Sequence, residues 1–320
     1  MPTYSNGGDA HTFPTKNNYF EISSAVLKDC ILFQNVRSLN ANYDKLKDVC
    51  MQIEEMPLAI CCQEIWQPHT SNYHLQGYAP MVAHTRKGQR NVGGGVGIFV
   101  RSDCPFVEIC LPDTFIEHIF EAQYVYLESL NVIIGNVYRP PSSPYKEVLQ
   151  YLEKNIQSLA LKFPSSKMYI GGDYNINFLA TSEQTESTLD TLESLGFRSL
   201  IKHPTRVSDH SCTLIDTIFT NSTQKHESGV IVTDISDHYG IFVRLCIKAK
   251  HAPKVISYRK MGKQQLKEFR KTITDTNWSF IKEEECPATA LNKKIESILD
   301  ETCPIITRKL NKQLIQRSHG

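Results

Sequence analysis

No stretch of this chain is apolar for long enough to span a bilayer, so no transmembrane helix and no membrane partner are expected. The ten cysteines include no C-x-x-C pair, and none has a histidine spaced as in a zinc site, which removes the zinc-module and dithiol redox classes. Several of them sit inside apolar runs (Cys30, Cys61, Cys62), where a free thiol behaves as a small hydrophobe. Residues Met1 to Asn18 are polar and lack the basic and apolar regions of a secretory signal. Free thiols without a signal imply a reducing intracellular compartment, and a nuclear one is expected. Tryptophan is scarce, and Trp66 and Trp278 read as core or linker packing rather than as platforms for stacked bases. No internal repeat and no long low-complexity tract is present.

Net charge is nearly absent too, at +1, but it is unevenly spread. Residues 1–250 carry 21 Lys+Arg against 26 Asp+Glu, and residues 251–320 carry 14 against 8. The acidic body suits a carboxylate-rich metal site. The basic residues of the tail form no dense cluster and read first as a solvated helical face.

What the sequence does have is a set of short apolar strands that end in chemically capable residues. Cys30–Gln34 runs into Asn35, Leu58–Gln63 into Glu64, Val132–Val137 into Tyr138 and Lys167–Gly172 into Asp173. Thr213–Ile215 leads to Asp216, and Gly229–Val232 leads to Ser236-Asp237-His238. Any one of these is most simply a turn residue. Six together imply one convergent site, because strand ends at one sheet edge are where layered α/β proteins bind ligands. In Gly171-Gly172-Asp173-Tyr174-Asn175, period-two spacing points Asp173 and Asn175 the same way from an extended backbone, an acid and an amide suited to holding a nucleophilic water. The two glycines permit a bend and a close approach.

Helical periodicity predicts helices over Leu39–Met56, from Ser143-Pro144 through Leu159, over Glu186–Leu195 stopping at Gly196, and then over Gln264–Ile273 and Ala288–Glu301. Strands outnumber helices, and some follow one another with no room for a crossover, so mixed or antiparallel pairing is expected. His251-Ala252-Pro253 marks a boundary. The expected organisation is a flexible segment over 1–28, a catalytic domain over 29–247 and a helical linker or tail over 248–320.

Chemically, Glu64, Asn35 and Asp237 offer hard oxygen ligands, apt for Mg²⁺ or Mn²⁺ and unlike a zinc cage. His238 can switch charge near neutrality, and Asp216 can fix its tautomer. With a phenol from Tyr138, the set fits hydrolysis of a phosphodiester and needs no organic cofactor.

At these residues the chain resembles the endonuclease/exonuclease/phosphatase superfamily, and more narrowly the apurinic/apyrimidinic-type endonuclease domain of non-LTR retrotransposons. The resemblance covers about residues 29–246. It rests on Asn35-Val36-Arg37-Ser38-Leu39, Gln63-Glu64-Ile65-Trp66, Gly93-Gly94-Gly95-Val96-Gly97-Ile98, Tyr138-Arg139-Pro140-Pro141, Gly172-Asp173-Tyr174-Asn175, Leu214-Ile215-Asp216-Thr217-Ile218-Phe219 and Ser236-Asp237-His238, in that order. It implies a four-layer α/β sandwich, two mixed β-sheets flanked by helices, with the site at one edge and a short helical tail beyond. It implies Asn35 and Glu64 as metal ligands with Asp237 as a further acidic one, and Asp173 and Asn175 as water-positioning residues. His238, oriented by Asp216, would contact the scissile phosphate, and Tyr138 would bond the phosphate or the leaving oxygen.

The activity implied is Mg²⁺-dependent nicking of target duplex DNA. Two alternatives stand beside it: a phosphoesterase of the same superfamily acting on phosphoinositide, sphingomyelin or RNA, and an inactive remnant that binds DNA or a partner. In the retrotransposon proteins this domain precedes a reverse transcriptase, and residues 256–310 resemble the linker between them. The polymerase is absent from this sequence, which implies a truncated element, a fragment or a host-retained nuclease. Ser211 and Thr213 are candidate DNA contacts but read first as a cap or turn, Arg139 reads as a phosphate contact or the partner of an acid, and the run Arg86-Lys87-Gly88-Gln89-Arg90 reads equally as a phosphate grip or a solvated loop.

Overall fold

The structure, a computed structural model, describes residues 19–21, 27–53, 55–86, 93–245, 255–283 and 287–309. Most of the 1–28 segment and all of Lys87–Arg90 lie outside these. The chain divides into two compact units, residues 1–247 and 248–320. No described helix is long and apolar enough to cross a membrane.

The first unit contains, in chain order, β1 (Phe20–Glu21), β2 (Cys30–Asn35), α1 (Leu39–Gln52), β3 (Ala59–Gln63), β4 (Val82–His84), β5 (Val96–Val100), β6 (Val107–Ile109), β7 (Phe115–Ile116), β8 (Phe120–Leu127) and β9 (Val132–Tyr138). It continues with α2 (Tyr145–Lys162), β10 (Lys167–Asp173), α3 (Glu183–Ser194), β11 (Arg198–Ser199), β12 (Arg206–Ser208), β13 (Ser211–Thr213), β14 (Asp216–Thr220), β15 (Glu227–Val232) and β16 (Gly240–Arg244). One sheet has the order β1-β15-β16-β2-β3-β5-β4 and the other β11-β14-β10-β9-β8-β6, with β7 also on β8. Both are mixed: β2 with β3 and β9 with β10 are parallel, whereas β16 with β2 and β10 with β14 are antiparallel.

Alternation along the strands builds the layers. On β2, Ile31 and Phe33 face a core shared with Val125, Ile134, Tyr169 and Ile218 of the second sheet. Cys30 and Leu32 point the other way, onto Leu46 and Val49 of α1. On the second sheet, Ile133 and Val137 turn outward to Val148, Leu152 and Ile156 of α2 and Leu192 of α3. The result is helix, sheet, sheet, helices: the four-layer sandwich expected. Because both faces of the central strands are buried, their sequences read as continuous apolar runs, each large side chain contributing about 1.5–3 kcal/mol.

Helix ends depart from the sequence reading in detail. Helix α1 stops at Gln52, not Met56, and α3 starts earlier, where Ser182 Oγ accepts the Thr185 N–H (3.2 Å). Ser143 does not cap α2: its hydroxyl donates to the Pro140 carbonyl (2.7 Å), and the helix begins after Pro144 with no side-chain cap bond. Gly196 does take the left-handed conformation after α3 (φ +80°).

The second unit is not only helical. Helices α4 (Lys263–Asp275) and α5 (Pro287–Thr302) are accompanied by an antiparallel pair of strands, β17 (Val255–Arg259) and β18 (Ile305–Lys309), that its sequence did not signal. The Arg259 guanidinium holds it to α5 through Asp300 (2.6 Å) and the Cys303 carbonyl (3.1 Å). Trp278 is tied within this unit, donating to Ile273 O (3.1 Å).

Candidate active site

The predicted residues arrive at one edge of the sandwich because the strand directions bring them there. β2, β3, β9 and β10 all finish at this edge, with Asn35, Gln63-Glu64, Tyr138 and Asp173. Asp216 is not a strand end, as the sequence suggested, but the first residue of β14. That strand is antiparallel to β10, so Asp216 pairs directly with Asp173. His238 lies in the turn before β16.

A polar bridge between the sheets sets this edge. Gln63 Nε2 on β3 donates to Asn136 Oδ1 on β9, and Asn136 Nδ2 donates back to the carbonyls of Cys62 (2.9 Å) and Gly97 (3.0 Å). All of these groups are buried, so each must be satisfied within the protein. Glu64 follows Gln63 by one residue and Tyr138 follows Asn136 by two, so the bridge lies just behind both.

Asp173 is fully buried. Its carboxylate accepts from Asn35 Nδ2 (2.9 Å), from the Asn175 backbone N–H (2.9 Å) and from Asn175 Nδ2 (3.2 Å). The acid-amide pair is therefore built differently from the extended arrangement expected of it. Asn175 has φ +49° and folds back on Asp173 as an Asx turn, while its amide also donates to Arg139 O (2.8 Å). The two glycines do allow the close approach expected of them, and what comes close is the neighbouring chain. A Cβ at Gly172 (φ +140°) would lie 1.9 Å from the Val137 carbonyl, and one at Gly171 2.9 Å from the Phe33 ring. Burial, with the Asp216 charge next, pushes the Asp173 carboxyl up to about 7; the Asn175 N–H opposes the shift.

Asp216 and His238 form a buried pair, Nδ1 lying 3.0 and 3.1 Å from the two carboxylate oxygens. Burial alone disfavours the imidazolium, but Asp216 outweighs it and raises His238 to about 9. Nε2 is left as the ring nitrogen not committed to Asp216. Asp173, Asp216 and His238 each present a ligand atom within 4.8 Å of the others. Thr205 orients the pair from behind: its hydroxyl donates to Asp216 Oδ2 (2.6 Å) and accepts the Asp216 N–H (3.1 Å). The His238 turn is pinned to β2, with Ser236 Oγ donating to Asn35 O (2.6 Å) and Gln34 Nε2 to His238 O (3.0 Å).

Asn35 links the two carboxylates, its Nδ2 donating to Glu64 Oε1 (2.9 Å) as well as to Asp173. Its Oδ1 accepts the Arg37 N–H (3.1 Å). Glu64 Oε2 accepts from Trp66 Nε1 (3.0 Å), so Trp66 orients a site carboxylate instead of simply packing, as its sequence context implied. Glu64, Trp66, Arg37, Ser38 and Asn175 all have positive φ without being glycine. Backbone strain of this kind collects where surrounding structure forces a functional geometry. Tyr138 is buried, and its hydroxyl has no hydrogen-bond partner among the described residues. Burial and the charges of Glu64 and Asp173 hold the phenol far above its ordinary range, so it stays a donor.

Asp237, next to His238, stands at the rim of this set. It is partly exposed and both its oxygens are taken, Oδ1 by Arg37 (2.8 Å) and Oδ2 by Arg206 (2.6 Å). These partners outweigh burial and hold it below the usual carboxylate range. Arg139 is neither a surface phosphate contact nor an ion-pair partner. It is buried, donating to the carbonyls of Tyr174 (3.3 Å), Asn175 (3.0 Å) and Ser143 (2.7 Å), and so staples the Asp173 turn. Arg86 is buried against Glu121, which also accepts the Gly95 N–H. Ser211 and Thr213 lie on the β12–β13 hairpin.

Several solved structures share this arrangement of layers. The endonuclease domain of TRAS1, a telomere-specific non-LTR retrotransposon, is 16% identical with a TM-score of 0.51 over 67% of this chain and 96% of that one. An endonuclease/exonuclease/phosphatase family protein from Bacteroides thetaiotaomicron is 14% identical with a TM-score of 0.51 over 67% and 93%. This is the endonuclease/exonuclease/phosphatase fold. A 3' phosphatase of the same fold, NExo from Neisseria bound to product DNA hairpin, is 17% identical with a TM-score of 0.51 over 67% and 98%. No protein-family model matches the sequence, and no curated protein matches it.

Proposed function

We propose that the protein is a divalent-metal-dependent phosphodiesterase of the endonuclease/exonuclease/phosphatase superfamily and acts as a DNA endonuclease. The observation that carries this is the convergence of Asn35, Glu64, Tyr138, Asp173, Asn175, Asp216 and His238 on one edge, drawn from both sheets. The retrotransposon endonuclease and the DNA-bound phosphatase among the structures of this fold favour a nucleic-acid substrate.

The donor set fits a hard cation at Glu64. Each Glu64 oxygen accepts one hydrogen bond, which leaves lone pairs available, and Asn35 Oδ1 has its second. Asp173 already accepts three bonds and His238 Nδ1 is engaged with Asp216, so Glu64 with Asn35 is the pair that would hold Mg²⁺ or Mn²⁺. When bound there, the ion would neutralise charge on the phosphoryl oxygens.

The chain's own groups supply the rest. Asp173, with a pKa near 7, takes the proton of the attacking water as oxygen bonds to phosphorus and the ester P–O bond breaks. Asn175 keeps Asp173 in place. His238, protonated because of Asp216, donates from Nε2 to a non-bridging phosphoryl oxygen, and the Tyr138 hydroxyl donates to a second or to the leaving oxygen. Nicking of supercoiled plasmid by purified protein with Mg²⁺ tests this. Asp173→Ala and His238→Ala should each lower the rate by about 10²–10⁴-fold, and undiminished nicking by either would sink the assignment.

A further inference from the structure

Three charged groups cluster at the rim of the site. Asp237 sits between two arginines, Arg37 Nη1 on one oxygen (2.8 Å) and Arg206 Nε and Nη2 on the other (2.8 and 2.6 Å). Each of the three is tied to the catalytic set. Arg37 follows Asn35 by two residues, Arg206 follows Thr205, and Asp237 precedes His238. Their side chains are about 40% exposed, Arg37 at 46%, Arg206 at 45% and Asp237 at 36%.

Exposed ion pairs contribute about 0–1 kcal/mol each, so stability does not account for this arrangement. Geometry does. A guanidinium has five N–H donors. Asp237 engages one on Arg37 and two on Arg206, and among the described residues the others meet no acceptor. The backbone beneath is fixed: the Arg37 N–H donates to Asn35 Oδ1, Asn42 Nδ2 donates to Arg37 O (3.1 Å), and the Ser38 N–H donates to Glu64 O (2.8 Å). Arg37 is held at φ +39°, a conformation costly for arginine that its surroundings impose. One carboxylate thus holds two forks in a fixed relation, and the group carries a net positive charge on a body in which residues 1–250 hold more acids than bases. Such forks match the paired oxygens of carboxylates and phosphates, and the phosphodiester backbone of a polynucleotide presents the latter.

We infer that Arg37 and Arg206, spaced by Asp237, bind a phosphodiester of the substrate strand adjacent to the scissile one. This rests on the phosphodiesterase reading above and deepens it. A second phosphate is present in a polynucleotide and absent from a substrate with a single phosphate, so the clamp selects a nucleic-acid chain over sphingomyelin or another lone phosphoester.

The test measures binding of a fluorescent duplex oligonucleotide to Asp173→Ala protein at several salt concentrations, with Arg37→Ala and Arg206→Ala added singly and together. Each lost phosphate contact should flatten the slope of log K against log[salt] by about 0.9, and the pair by about 1.8. Arg→Lys at either position should restore most of the slope, which a merely structural salt bridge would not. With Asp173 intact, KM for the oligonucleotide should rise about tenfold per arginine lost, while kcat and hydrolysis of bis(p-nitrophenyl) phosphate stay within about twofold. Unchanged slopes and KM in variants that melt like the parent would overturn the clamp and leave the nuclease reading standing. A parent protein that cleaves the single phosphodiester but neither binds nor nicks DNA would overturn the clamp and the DNA substrate together. One that cleaves neither would overturn the enzyme reading itself.

Discussion

His238 and Asp216 show how burial converts a common pair into a charged one. An imidazole 3% exposed is ordinarily neutral, but here the adjacent carboxylate raises it to about 9. A raised histidine pKa stabilises the fold most below the unfolded value of about 6.5 and loses that contribution as pH rises through 9. The stability advantage of the parent over Asp216→Asn should therefore be largest near pH 6, on the order of 2–3 kcal/mol, and shrink toward pH 10. Calorimetric melts of the metal-free proteins across that range check it. Trp66, outside the predicted set, is open to a test of its own. Trp66→Phe keeps the ring's bulk and deletes the bond to Glu64, so half-saturation of nicking by Mg²⁺ should need at least about tenfold more ion. Polar residues at strand ends were legible, because an apolar run that stops at Asn, Glu or Asp leaves few roles for them. The residues that aim them were not. Thr205 and Arg139 act from buried positions fixed only by tertiary folding, and the pairing of Asp237 with two arginines depends on a contact between positions 37 and 237 that no local pattern encodes.

At the scale of elements, the close approach of β9 and β10 is the tightest constraint. Because a Cβ on Gly172 would strike the Val137 carbonyl, Gly172→Ala must push these strands apart exactly beside Asp173. A loss of about 3 kcal/mol or more in urea unfolding is expected, with activity falling further than stability explains. The bridge across the sheets makes a parallel case: Asn136→Leu removes three hydrogen bonds and orphans the Cys62 and Gly97 carbonyls, costing about 2–4 kcal/mol in the same assay. Strand and helix positions followed from apolar runs and 3.6-residue stripes, as α2 and its buried Val148, Leu152 and Ile156 illustrate. Strand order did not, since β16 inserting between β15 and β2 is a choice of partner, and partners are set by the whole set of buried faces. The β17–β18 pairing was missed for the same reason, its strands lying on either side of α4 and α5 in the chain.

At the scale of the molecule, the site carboxylates are hydrogen-bonded before any ion arrives. Asn35, Asn175, Trp66 and Thr205 already bond the carboxylates, so EDTA should abolish nicking while leaving the circular-dichroism melt nearly unchanged, and Mg²⁺ should restore activity without refolding. The position of β16 has a consequence during synthesis. Ser236 and Asn35 are 201 residues apart, yet their hydrogen bond closes the site, and β2 has an open edge until β16 pairs with it. A nascent chain emerging from the ribosome thus holds Asn35 and Glu64 for most of translation with no imidazole opposite them. Cleavage competence would switch on late and all at once, when the stretch around Ile241–Arg244 docks, and the long-range closure makes that docking the slow, aggregation-exposed step of folding.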